Sequence, residues 1–290
     1  MLIHLNKTMN RFFIIFLISI LPFSVFSEEK KINLIEKNWG FNGIFGTFDR
    51  ASLQRGYQVY QEVCSGCHSI QHLSYRNLSE KGGPEFSLEE AKALANQFEI
   101  EDGPNRDGEF FLRPARLSDK FVKPYPNVEA STAANGGAYP PDMSVLAKAR
   151  TGGANYIYSL LMGYEEAPEG FELDDGVYYN KFMPGNKIKM SEPILDGVVE
   201  YSDGTETTKA QIAKDITAFL VWASEPHLES QHRMGFKVIV YLIILIALVY
   251  MSKQKVWSRF DLKEEEKDEA FDKVEKIMTE YEGEDPKTFK

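Results

Sequence analysis
The chain has 290 residues, 33 basic against 43 acidic, for a formal net charge of −10; 43% are hydrophobic and 26% charged. This ordinary composition excludes global disorder, and the length allows one or two domains at about 150 residues each. The acidic balance argues against nucleic acid as a partner, and two cysteines exclude both a disulfide scaffold and a four-cysteine metal site within this chain.

In chain order, the first segment reads MLIHLNKTMNRFFIIFLISILPFSVFS. Lys7 and Arg11 precede a short apolar run over 12–21, Pro22 breaks it, and Val25 and Ser27 offer modest-sized residues for cleavage. The run is too short to span a bilayer, so 1–27 is predicted to be a signal peptide and 28–230 an exported body.

Within the body, Leu53, Tyr57, Tyr60 and Val63 share one face of a predicted helix over 51–67, with Asp49 as its N-cap. Residues 87–98 open on a capping box, Ser87 with Glu90. Apolar residues over 141–163, interrupted by Gly152 and Gly153, predict two short helices with a joint. Val198, Val199 and Tyr201 before Asp203-Gly204 predict a small hairpin over 195–205. Ile212, Ile216, Phe219, Leu220 and Trp222 predict a helix over 208–223. Glycine- and proline-rich stretches at 82–84, 103–116 and 124–141 read as long loops that a bound cofactor would organise. Glu165, Glu166, Glu169, Glu172, Asp174 and Asp175 cluster with no base among them. Such a run is usually a solvated loop, but on an exported body it can also steer a basic partner.

Residues 234–251, MGFKVIVYLIILIALVYM, are long enough at about 1.5 Å per residue to cover most of a bilayer core. Lys253, Lys255 and Arg259 beyond them place the far side in the cytoplasm, so the chain is expected in the inner (cytoplasmic) membrane as a single-pass protein with its body on the periplasmic side. The tail 252–290 is dense in charge, with Phe271, Val274, Ile277, Met278 and Tyr281 at helical spacing.

Cys64-Ser65-Gly66-Cys67-His68 is C-x-x-C-H, the attachment pattern of c-type haem. Two thiols three residues apart can reach the two vinyl groups of one porphyrin, and the adjacent imidazole comes up under the iron. A thioredoxin-like pair would need a βαβ pattern, and a zinc site would need further ligands. The second axial position decides the use of the iron. A strong ligand there leaves only electron transfer, whereas an open position makes a membrane-anchored haem enzyme with a displaceable sixth ligand. Among histidines, His72 lies on the same side of the ring as His68, and His227 and His232 adjoin the apolar span. Met143, Met162, Met183 and Met190 are the other candidates, and spacing does not choose among them.

The strings FDRASLQRGYQVYQEVCSGCHSIQHLSYRNL, PYPN, ANGGAYPPDMSVLAKAR, NYIYSLLMGY, FMPGNKIKM and WASEPHLESQHRMGFK, in this order before one span, resemble the cytochrome c1 family over residues 40–257. The resemblance implies a mainly α, class I cytochrome c-like haem domain with long loops and one C-terminal transmembrane helix. It implies one covalently attached haem c, with Cys64 and Cys67 as thioether cysteines, His68 as proximal ligand and Met190 as distal ligand. Met183 stands where the family usually has an aromatic residue, so it should pack. Pro141 would orient His68 through its carbonyl, and Asn135, Arg150 and Tyr156 fall where the family approaches the haem propionates. Thr151 replaces a common histidine, and the acidic tail is longer than the family pattern. The implied function is a one-electron relay from a Rieske iron–sulfur protein to cytochrome c, beside a cytochrome b subunit in the bilayer and not an enzyme alone.

Overall fold
The computed structural model describes residues 32–258 and 264–282; the predicted signal peptide lies outside the described residues. Helix α1, Arg50–Val59, begins where expected, since the Asp49 side chain accepts from the Ala51 N–H at 3.1 Å. It continues as a π-helical turn over Tyr60–Cys64. The predicted helix over 51–67 therefore ends three residues early, and Cys67 and His68 lie on a turn. Both of their N–H groups fold back onto the Cys64 carbonyl, at 3.1 and 2.9 Å.

Helix α2, Leu88–Ala95, carries the capping box in full: Ser87 Oγ accepts from Glu90 N, and Glu90 Oε2 accepts from Ser87 N. The loop expected over 103–116 is partly a hairpin, in which β1, Glu99–Asp102, pairs antiparallel with β2, Phe111–Pro114. Arg113 draws it together by bridging Asp102 and Asp119. Helix α3, Val128–Ala134, breaks the loop expected over 124–141, with the Asn127 side chain capping Ala130 N.

Of the two helices expected over 141–163, only α4, Gly153–Met162, forms. Residues 144–149 make successive turns, and Gly152, at φ 91°, reverses the chain into α4 where a Cβ would strike Leu34. Strands β3, Tyr178–Tyr179, and β4, Lys187–Ile188, make a minimal antiparallel pair. The hairpin predicted over 195–205 does not form. Gly197 N instead bonds Thr207 O at 2.8 Å, so this segment closes on the start of α5 and buries Val199 and Tyr201.

Helix α5, Lys209–Ser224, has Thr208 as N-cap and is buried along almost its whole length. It crosses α1 so closely that a Cβ on Gly56 would sit 2.2 Å from the Asp215 carbonyl. Around this crossing Leu53, Tyr57, Tyr60, Ile216, Phe219 and Phe121 form the core, with Tyr57 edge-on to Phe219 and Tyr60 stacked on it. Buried Asp215 accepts from Ser52 Oγ at 2.6 Å and from the Arg55 guanidinium at 2.8 Å, so the charge at the crossing is paired.

Helix α6, Leu228–Trp257, runs 30 residues and contains the expected apolar span, at a mean hydropathy of 2.4 with none of that window buried. Helix α7, Glu264–Glu282, shows the tail to be helical, with Phe271, Val274, Ile277 and Met278 exposed. The described residues are thus mainly α, with long loops, two short strand pairs and one C-terminal helix long and apolar enough to cross a membrane.

Candidate cofactor site
The site is built on the π turn that ends α1. Cys64 is half-buried against the core, while Cys67 is exposed beyond it, and both thiols are free. Burial pushes the Cys64 thiol up to about 12, with Cys67 adding to the shift, so it stays protonated at neutral pH. Gly66 between them has open space where a Cβ would be, so the turn presents a clear face.

His68 is buried and held at two points. Its own carbonyl accepts from the Tyr60 hydroxyl at 3.1 Å, and its Nδ1 lies 2.8 Å from the Pro141 carbonyl. A carbonyl only accepts, so Nδ1 is the protonated nitrogen and Nε2 carries the free lone pair. Burial lowers the pKa of the imidazole, against the pull of Pro141 and Asp142, and keeps it neutral. Among the described residues Nε2 makes no hydrogen bond.

Two strands of loop are laced together behind this imidazole. Met143 N donates to Ser69 O at 2.8 Å, and Asp142 accepts from Ser69 Oγ at 2.7 Å, Gln71 N at 3.1 Å and Ser144 N at 2.9 Å. Ser144 Oγ then accepts from His72 N at 3.1 Å. Burial raises the Asp142 carboxyl, but the bonds from Ser144, Ser69 and Gln71 outweigh it and hold the pKa below the usual carboxylate range. Asp142 was not among the sequence candidates. The signal was there in Pro141-Asp142-x-Ser144, an acid able to fold back on a backbone N–H two residues on.

The loop that supplies Pro141 also meets the segment carrying Met190. Lys189 Nζ donates to Gly136 O at 3.1 Å, and the Tyr164 hydroxyl donates to Met190 O at 3.0 Å. One loop, 136–141, therefore links the His68 and Met190 segments. Half-buried Met183 has its sulfur 3.8 Å from the Tyr156 hydroxyl. Asn135 donates to Ser131 O at 2.7 Å within the last turn of α3, and exposed Arg150 reaches only its neighbour Ala149 O, at 3.1 Å. The Arg150 guanidinium makes no ion pair among the described residues. His72 is exposed, His227 precedes α6, and His232 is taken up by Gly46 O.

These donors suit a particular kind of group. Among the described residues no three His, Cys, Asp or Glu side chains converge as a metal site would require. Two free thiols and one neutral imidazole with a free Nε2 fit instead a macrocycle that brings its own equatorial ligands and asks the protein for attachment and an axial donor.

Residues 39–260 match the model of the Cytochrome C1 family. The chain is 48% identical to "Cytochrome c1, heme protein, mitochondrial" of Schizosaccharomyces pombe over 231 residues, covering 80% of this chain and 74% of that one. It is 41% identical to "Cytochrome c1" of Rhodospirillum rubrum, over 80% of this chain and 90% of the relative. Against "Cytochrome b/c1" of Bradyrhizobium diazoefficiens it is 46% identical over 76% of its length, but it spans only 35% of that protein.

Proposed function
The chain belongs to the cytochrome c1 family, and from that premise we propose that it is the covalent-haem electron-transfer subunit of a membrane quinol–cytochrome c oxidoreductase, the cytochrome bc1 complex. The observation that carries the reading is His68 itself: a buried neutral imidazole whose Nδ1–H is committed to Pro141 O at 2.8 Å while Nε2 stays free, beside two free thiols.

A bound haem c would supply a reversible one-electron couple. Cys64 and Cys67 would hold it by thioether bonds, and His68 would ligate through Nε2. The Pro141 carbonyl keeps the tautomer and ring orientation fixed, which also raises the basicity of the ligating nitrogen. Met190 would offer its thioether as the second protein ligand, and a thioether ligand would raise the reduction potential. Asn135, Arg150 and Tyr156 would meet the propionates; the Arg150 guanidinium, without an ion pair among the described residues, could neutralise a carboxylate with a charge-assisted bond. With His68 and Met190 both committed to such a group, electron transfer would need no side chain to act as acid or base.

The domain boundaries follow the sequence: a signal peptide at 1–27, the haem domain at 28–230, the anchor at 234–251 and a cytoplasmic tail at 252–290. The haem domain stands on the periplasmic side of the inner membrane. It takes electrons from a Rieske iron–sulfur protein and passes them to cytochrome c, with cytochrome b beside the anchor. Exposed acids at 165–175 steer a basic cytochrome c, so the second transfer slows as salt is raised.

The test is a reduced-minus-oxidised spectrum of membranes from cells that carry the haem-attachment machinery, extended to the weak near-infrared band of methionine-ligated ferric haem. The expected result is a low-spin covalent haem whose band disappears in Met190→Leu. A high-spin haem that binds carbon monoxide in the unmutated protein overturns the proposal.

A further inference from the structure
Residues 38–48, between Lys37 and Asp49, carry no charged side chain: NWGFNGIFGTF. They fold into a closed finger. Thr47 N returns to Gly40 O at 3.0 Å, and the tip turns through Gly46 N to Gly43 O at 3.1 Å, with Gly43 at φ 82°. Gly46 is packed so tightly that a Cβ there would lie 2.2 Å from the Phe41 carbonyl. The base is fixed by buried aromatics, Trp39 stacked on Phe41 at 5.4 Å and Phe41 against Phe48 at 5.1 Å. The tip is the opposite: Ile44 and Phe45 are each 72% exposed.

Scattered exposed apolar residues are normal on a soluble surface. The position of this pair is not ordinary. The finger lies along the first two turns of α6 and touches it at three successive heights. Phe48 N donates to Glu229 at 2.9 Å, Gly46 O meets His232 Nδ1 at 3.1 Å, and the Phe45 ring lies 5.9 Å from that of Phe236. The contacts run from a carboxylate, through an imidazole, to a pair of phenyl rings. That order follows the polarity gradient met on entering a bilayer. Phe236 stands two residues inside the apolar run 234–251, next to Lys237, whose stem can reach back to the headgroups. The tip of the finger is thus level with the start of the span.

We propose that Ile44 and Phe45 form a second membrane contact, a wedge buried at the headgroup–acyl boundary of the leaflet that α6 enters. The proposal rests on α6 being the membrane span. One helix leaves a body free to swivel about its axis; a rigid apolar finger beside it fixes which side of the body faces the bilayer. The occupant is lipid, because the exposed groups are aliphatic and aromatic, the finger itself carries no charged side chain, and the Phe45 ring lies against Phe236 of the span.

The test uses the assembled complex in lipid nanodiscs, with a spin label at Phe45→Cys and, separately, at Ile44→Cys, in chains whose haem spectrum is intact. Collisional relaxation is read with oxygen, which concentrates in lipid, and with a water-soluble nickel chelate. Asp107→Cys, on an exposed loop, is the aqueous reference, and labels at consecutive positions from 240 to 247 read the span itself. The expected result is an oxygen-to-nickel accessibility ratio at 44 and 45 several-fold above that at 107. Free access of nickel to both positions overturns the wedge, and so does shielding from both reagents, which assigns the tip to a protein neighbour. Nickel access along 240–247 defeats the span reading instead, so the two failures are separable.

Discussion
At the first residue of α1, Arg50 gives Glu229 two hydrogen bonds, at 2.7 and 2.8 Å, and the Phe48 N–H adds a third at 2.9 Å. Eighteen residues on, beyond the other end of the same helix, the contacts of His68 itself are neutral and single: the Tyr60 hydroxyl on the His68 carbonyl and the His68 imidazole on the Pro141 carbonyl. The first end is saturated. The Glu229 carboxylate is 6% exposed, and it joins the body to the base of the anchor with nothing left to react. The second end leaves two thiols and one ring nitrogen uncommitted. The difference separates two uses of polar groups: paired charges fix geometry, whereas neutral bonds made at one atom orient a side chain and leave another atom free for chemistry.

Breaking the saturated end should have the largest effect. Glu229→Ala leaves the Arg50 guanidinium without its main partner and the Phe48 N–H unsatisfied. Removing one member of a buried pair costs roughly 3–5 kcal/mol, and the lower figure applies here because Arg50 keeps Glu85 and is partly exposed. The measurement is proteolytic nicking near 224–230 in membranes, expected to rise sharply while the haem spectrum stays normal. Glu229→Gln keeps the shape and one acceptor oxygen, but turns an amide N–H2 toward a donor, and should lose about half as much.

Gly56 tests whether the two ends are mechanically joined. A methyl at that position meets the Asp215 carbonyl at 2.2 Å and Phe219 Cβ at 2.6 Å, atoms of a neighbouring helix that cannot rotate away. Overpacking costs about 1–3 kcal/mol and the gain in helix propensity returns at most about 1, so Gly56→Ala should lose roughly 2 kcal/mol. Thermal unfolding followed both by haem absorbance and by proteolysis at 224–230 should shift at both probes together. A shift at one probe alone would show that the ends are independent.

The two ends also differ in what the sequence discloses. C-x-x-C-H is local, so the chemical end was readable from five adjacent residues. Its neighbours in space were not: Pro141 lies 73 positions from His68, and only a family resemblance named it. The anchor end was readable only as an apolar run. Nothing in the sequence pairs Arg50 with Glu229, 179 positions apart, because a single acid among 43 carries no mark of its partner. The elements missed fail for related reasons. Val198, Val199 and Tyr201 alternate as a strand would, but Gly197 closes on Thr207 and the segment packs on the core instead of pairing. The hairpin that does form, over β1 and β2, is held by Arg113 and its two carboxylates rather than by an apolar face.

The smallest expected effect lies behind the chemical end. Asp142 is the one charge there, and it accepts from Ser69, Gln71 and Ser144 at once. Asp142→Asn keeps one acceptor oxygen but turns an amide toward a donor, so roughly 1–2 kcal/mol should go, with a small change in the haem spectrum as the Pro141 carbonyl loosens. The pH dependence isolates the charge. The folded pKa of Asp142 lies below its ordinary value near 3.9, so its contribution is complete above about pH 4 and is lost as pH falls through the folded value. The stability difference between the wild-type protein and Asp142→Asn should therefore be flat from neutral pH down to about pH 5 and should narrow below about pH 4. A difference that stays constant through acid would mean that the carboxylate is held by shape alone. The contacts around His68 would then include no charge-dependent one, and the contrast with Arg50 and Glu229 would be complete.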